Sequence, residues 1–132
     1  MQVFVTGIFP MRHATICIAL LVTFHQTALA APAKSITCSY ADGQKLTFDV
    51  PKKFGGLPPI DFDYPAKVTR FSFRDDNLLL VAMDESEKSR VRIVISAQRN
   101  KANNVYEGQI VTDLGGHQLM LDNGPVSCKA SG

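Results

Sequence analysis

Residues 36–50 read ITCSYADGQKLTFDV, and this stretch decides the fold class. In an extended chain Ile36, Cys38 and Tyr40 fall on one side and Thr37 and Ser39 on the other. Leu46, Phe48 and Val50 alternate in the same way with Lys45, Thr47 and Asp49. A period of two is the pattern of a half-buried strand. Between the two runs, Ala41-Asp42-Gly43 supplies residues that tolerate left-handed backbone, so the stretch predicts an antiparallel hairpin. Pro51 ends the second run because it cannot donate to a ladder.

The same pattern recurs along the chain. Residues 66–74 set Phe71 and Phe73 against Arg70, Ser72 and Arg74. Residues 78–83 are continuously apolar, as in a central strand. Residues 90–98 alternate Val91, Ile93, Ile95 and Ala97 with Arg90, Arg92, Ser96 and Gln98. Residues 105–113 follow, with Gly108 marking a bulge or bend. Residues 117–122 put Leu119 and Leu121 on one face, and residues 126–129 close the series. Turn-forming residues separate these runs, and no stretch of ten residues carries a 3.6-residue period. Eight short strands in sequential hairpins predict an all-β antiparallel meander.

Residues 1–30 read as a secretory leader. Met11-Arg12-His13 is a short basic start, residues 14–24 are apolar, and Ala28-Leu29-Ala30 is a small-x-small cleavage site. The apolar run is shorter than the roughly 20 residues a bilayer-spanning helix needs. Either Met1 or Met11 serves as the start, and Cys17 leaves with the leader. Cleavage leaves residues 31–132 as a single domain with no stable membrane anchor, predicted to be periplasmic or secreted. Its lack of an Asn-x-Ser/Thr sequon leans towards the periplasm.

Two cysteines remain, Cys38 and Cys128. In an oxidising compartment an even count predicts one disulfide. Both cysteines lie on the apolar phase of their runs, so the bond would tie the first strand to the last. A sheet whose end strands meet closes on itself, which predicts a closed eight-stranded barrel over an open sandwich. The bulky inward set, including Leu46, Phe48, Phe71, Phe73, Ile93 and Ile95, predicts a filled interior.

Composition narrows function. Fourteen Lys+Arg against twelve Asp+Glu give a net charge of +2. Loss of Arg12 with the leader reduces it to +1. That balance, on an exported chain, argues against a nucleic-acid partner. His117 is the one histidine after the leader, with Asp113 and Asp122 nearby, and it reads as a residue beside a Gly-Gly turn. No nucleophile elbow, paired catalytic carboxylates or metal-ligand spacing is present, so no enzyme activity, catalytic residue, metal or cofactor is predicted.

Two features point to binding. Residues 51–65, PKKFGGLPPIDFDYP, hold four prolines and two glycines yet carry Phe54, Leu57, Ile60, Phe62 and Tyr64. A long stiffened loop of this kind either presents a surface to a partner or folds back as a plug. Arg70, Arg74, Arg90 and Arg92 are predicted to share one outward sheet face, either as a basic patch for an acidic partner or as a balanced polar surface.

Cys38-Ser39-Tyr40-Ala41-Asp42-Gly43 with Leu46, together with Cys128, resembles the periplasmic inhibitors of C-type lysozyme. That resemblance implies a small exported eight-stranded barrel with a cysteine near each end. The family's Ser-Gly-x-x-Tyr segment and Trp-containing motif are absent, so no functional residue carries over. The expectation is a non-enzymatic exported protein that binds an unidentified protein or envelope component, with hydrolase inhibition as the alternative.

Overall fold

A computed structural model of the chain describes residues 34–132. The expected leader, the choice of start and Cys17 lie outside the described residues. Seven strands form the domain: β1 (Ser35–Ser39), β2 (Lys45–Asp49), β3 (Ala66–Arg74), β4 (Asn77–Asp84), β5 (Val91–Asn100), β6 (Val105–Asp113) and β7 (Leu121–Ser131). A single 3-10 turn at Ala41–Gly43 joins β1 to β2, with Asp42 and Gly43 both at positive φ. All neighbours are antiparallel, in the order β2-β1-β7-β6-β5-β4-β3. The sheet curls into a half-barrel. Two bulges help to bend it, one at Thr69 in β3 and one at Arg92 in β5, each an extra residue opposite an unbroken partner strand.

Alternation sets the core, as the hairpin pattern requires. Leu78, Leu80 and Ala82 of β4 are buried, with Ile93, Ile95 and Ala97 of β5 beside them. Ile110, Val126, Ile36, Phe48 and Val68 complete the concave face. Cys38 and Cys128 stand directly opposite one another in the β1–β7 ladder and are disulfide-bonded, both fully buried.

The meeting of β1 and β7 does not close the sheet. The β1–β2 hairpin places β2 outboard of β1, so the two edges are β2 and β3. These are also the strands that residues 51–65 connect. From the antiparallel order, β2 ends level with the β3–β4 turn, whereas β3 begins at the opposite end. The loop therefore runs the length of the open side. Ile60, Phe62 and Tyr64 pack against the core from this strap, and Phe48 meets Phe71 edge-to-face at 5.8 Å between the two edge strands.

The strand count is seven because the two runs expected at 117–122 and 126–129 are not separate strands. β7 passes straight through Asn123-Gly124-Pro125, in unbroken register with β6 from Tyr106↔Cys128 to Asp113↔Leu121. Pro125 is tolerated because β1 pairs with β7 only from Ser127 onwards, so β7 has a free side at the proline. Leu119 falls in the preceding loop, and it and Leu121 are exposed rather than inward. Gly108 marks neither bulge nor bend. It sits in register opposite Ala97, where strand backbones approach so closely that a Cβ would lie 2.0 Å from the Ser96 carbonyl oxygen.

Two stability measurements check this account. Replacing both Cys38 and Cys128 by Ala releases a cross-link spanning 90 positions and is expected to lower the urea-unfolding free energy by about 4 kcal/mol. Gly108→Ala is expected to cost roughly 1–3 kcal/mol through overpacking of the β5–β6 ladder. An unchanged unfolding midpoint in the glycine variant would show that the strands separate freely there.

Candidate binding surface

The strap from 51 to 65 divides into two chemically different halves. In its second half Pro58 is buried, and Ile60, Phe62 and Tyr64 face the core, with Phe62 stacked on Tyr64 at 5.8 Å. In its first half a turn closes through the Gly56 N–H donating to the Lys53 carbonyl at 2.9 Å, with Gly55 at φ +74°. Glycine adopts that backbone at no steric cost. The turn lifts Phe54 away from the sheet, leaving it 84% exposed. Leu57 beside it is also exposed.

This turn meets the last residues of β3 across an open cleft of about 630 Å³. Lys52 and Lys53 lie on one wall, Arg70 and Arg74 on the other, and Phe71, Phe73 and Leu79 contribute apolar surface. The Arg74 guanidinium stands over the Phe54 ring at 5.5 Å from its centroid. Asp75 approaches Arg74 at 3.8 Å, with both side chains largely exposed. Among the described residues no carboxylate is within 4 Å of the Lys52, Lys53 or Arg70 head groups. This end of β3 is held in place by the β3–β4 turn. Arg99 Nε donates to Asp76 Oδ1 at 2.7 Å, and the Arg99 N–H donates to the Asp76 carbonyl at 2.7 Å.

Arg90 and Arg92 do not join Arg70 and Arg74 on an outward face. The bulge at Arg92 shifts the phase of β5 and sends this side chain inward, where the residue is 9% exposed. Arg92 Nε lies 3.2 Å from Asp84 Oδ2 and Nη1 lies 3.5 Å from Asp113 Oδ2. The Nε–Asp84 approach is an ion pair without hydrogen-bond alignment, so the buried Nε is left with no hydrogen-bond partner. The Arg92 guanidinium also covers the Tyr64 ring at 5.0 Å, joining the strap to this cluster. Burial, with the neighbouring Tyr40 hydroxyl adding to it, pushes the Tyr64 hydroxyl up to about 12, against the pull of Arg92.

Arg90 donates from Nε to Asp113 Oδ2 and from its Nη atoms to the Gly115, Gly116 and Gln118 carbonyls. Asp113 Oδ1 accepts the Gly115 and Met120 N–H groups. Residues 114–120 are thus wrapped around an Arg–Asp centre. On the outside of this loop Leu114, Leu119 and Met120 are exposed, as is Leu121 after it. His117 is exposed on the same loop, and Asp113 is fully engaged elsewhere and cannot orient it.

Sequence reading therefore located Phe54, Arg70 and Arg74 as candidates but missed Lys52 and Lys53, which complete the cleft. Their adjacency to Phe54 was the available signal. Nothing in the alternation of 90–98 marked Arg92 as buried. The signal lay in acidic partners distant in sequence, Asp84 and Asp113. No protein-family model, curated protein or solved structure matches the chain, so its function has to be read from its own geometry.

The Arg–Asp cluster makes stability depend on pH. The Arg90 side-chain hydrogen bond, reinforced by the Met120 N–H, holds the Asp113 carboxyl well below its ordinary value of 3.8. The Glu87 and Ser86 N–H groups lower Asp84 in the same direction. A carboxylate depressed in the folded state binds fewer protons there than in the unfolded chain. Its stabilisation is complete above the ordinary value and is lost as pH falls through the folded value. Melting temperature is expected to fall progressively below pH ~4, and Asp113→Asn is expected both to lower it at neutral pH and to flatten this acid dependence. An Asn variant with the wild-type acid profile would remove Asp113 from this role.

Proposed function

We propose that this protein is an exported, non-enzymatic binding protein of the periplasm or cell envelope, and that it engages its partner through the cleft between the Lys53–Gly56 turn and β3. One observation carries the reading. Lys52, Lys53, Arg70 and Arg74 line one cleft with Phe54, which the strap holds out in solvent under the Arg74 guanidinium while its other aromatics pack inward. The leader-like residues 1–30 and the disulfide support an oxidising compartment. The buried side chains on the concave face favour an outside contact over a ligand held within. We read the strap, with Phe48 against Phe71, as the element that completes a barrel-like closure in place of an eighth strand.

Hydrolase inhibition is less well supported. The residues shared with lysozyme inhibitors fall on β1, the turn after it, β2 and β7, where they form a hairpin and the disulfide staple. A cationic cleft is also a poor electrostatic partner for a basic hydrolase.

Capture from an envelope extract is expected to retain a component with the wild-type protein and to lose it with Lys52→Gln/Lys53→Gln/Phe54→Ala, whose circular dichroism stays native. Equal retention by both would move the contact away from the cleft.

A further inference from the structure

We propose that the cleft is a reversible docking surface for an anionic lipid bilayer, with Phe54 entering the headgroup zone and Lys52, Lys53, Arg70 and Arg74 facing lipid phosphates. This rests on the binding reading above and names the partner's chemistry. An isolated exposed phenylalanine is ordinary on a protein surface. Here it stands at the tip of a hydrogen-bonded turn, flanked by two lysines in sequence and two arginines in space. An apolar ring surrounded by cations is the arrangement that interfacial binding requires. The ring gains by leaving water at the level of the headgroups, and the cations gain from the negative surface potential.

The geometry favours a surface over a compact anion. A cleft of about 630 Å³, open to solvent, is far larger than a phosphate or carboxylate group. Its cations sit on opposite walls, and a two-dimensional array of phosphates can meet several of them at once. Asp75 offsets part of the Arg74 charge, leaving Lys52, Lys53 and Arg70 as the main electrostatic contacts.

The other apolar end of the molecule does not share this chemistry. Leu114, Leu119 and Met120 are exposed there, but Arg90 and Arg92 are already engaged with loop carbonyls and acidic side chains. The arginines at that end are spent inside the structure, whereas Lys52, Lys53 and Arg70 line the cleft beside Phe54 without an ion-pair partner among the described residues.

The test uses the protein as recovered from expressing cells, with its N-terminus established by mass spectrometry and shared by every variant. Co-sedimentation is measured with phosphatidylcholine vesicles and with vesicles that also contain phosphatidylglycerol. Binding is expected only to the second and is expected to weaken with added salt. Lys52→Gln/Lys53→Gln is expected to reduce it about tenfold or more, and Phe54→Ala roughly tenfold. Leu119→Ser, at the opposite end, is expected to leave it unchanged.

Equal binding to both vesicle types would overturn the proposal, as would loss with Leu119→Ser in place of Phe54→Ala. So would strong binding to soluble polygalacturonate that is indifferent to Phe54, because this identifies a general polyanion site. If no vesicle is bound while capture from the extract still depends on the cleft, the lipid proposal fails and the binding reading stands.

Discussion

The pairing of β1 with β7, fixed by the Cys38–Cys128 bond between directly opposed residues, is the constraint on which the remaining architecture depends. It brings chain positions far apart in sequence into the interior of the sheet. Because β2 then adds on the outer side of β1, the edges fall on β2 and β3, and the segment joining them must cross the open side. Exposed edges invite pairing with other chains. A connection with four prolines is suited to covering such a gap, since it lies extended and offers few donors to a foreign strand.

Covering the gap demands apolar contact, and the strap provides it unevenly. Ile60, Phe62 and Tyr64 pack against the core, and Arg92 fastens Tyr64 from the sheet side by its contact with the ring. Once this half is held, the preceding residues are confined to the end of the sheet where β3 finishes. The Lys53–Gly56 turn is thus positioned by packing that lies elsewhere on the same segment. The arginines of β3 are positioned independently, by the sheet and by the Arg99–Asp76 contacts at the neighbouring turn.

Much of this was legible in local pattern. The hairpin at 36–50, the alternation at 66–74 and 90–98 and the apolar run at 78–83 all became strands. The disulfide follows from an even cysteine count after the expected leader. What local pattern does not carry is a residue's partners across the sheet. Arg92 looked like an outward residue because its phase matched Ser96 and Gln98, and a single bulge was enough to turn it inward. Asn123-Gly124-Pro125 looked like a turn because these residues favour one. The β6 ladder nevertheless carries them as strand, at a position where β7 lacks a second neighbour. Contact between the first and last strands likewise fixes two neighbours but does not say which strands lie outside them, so it does not by itself establish closure.

The two ends of the half-barrel show how the same residue types acquire different roles. At one end Arg90 and Arg92 meet Asp84, Asp113 and the carbonyls of a loop that needs organising, and their charge is consumed inside the structure. Removing one member of such a cluster leaves an uncompensated buried charge, so the cluster acts as a fixed unit. At the other end Lys52, Lys53 and Arg70 face solvent without an ion-pair partner among the described residues. Cations that stabilise nothing internally contribute chiefly a field, and a field concentrated around an exposed aromatic ring has its largest effect on whatever approaches that ring. This difference in internal commitment, more than the number of arginines on either face, separates a structural use of charge from one directed outward.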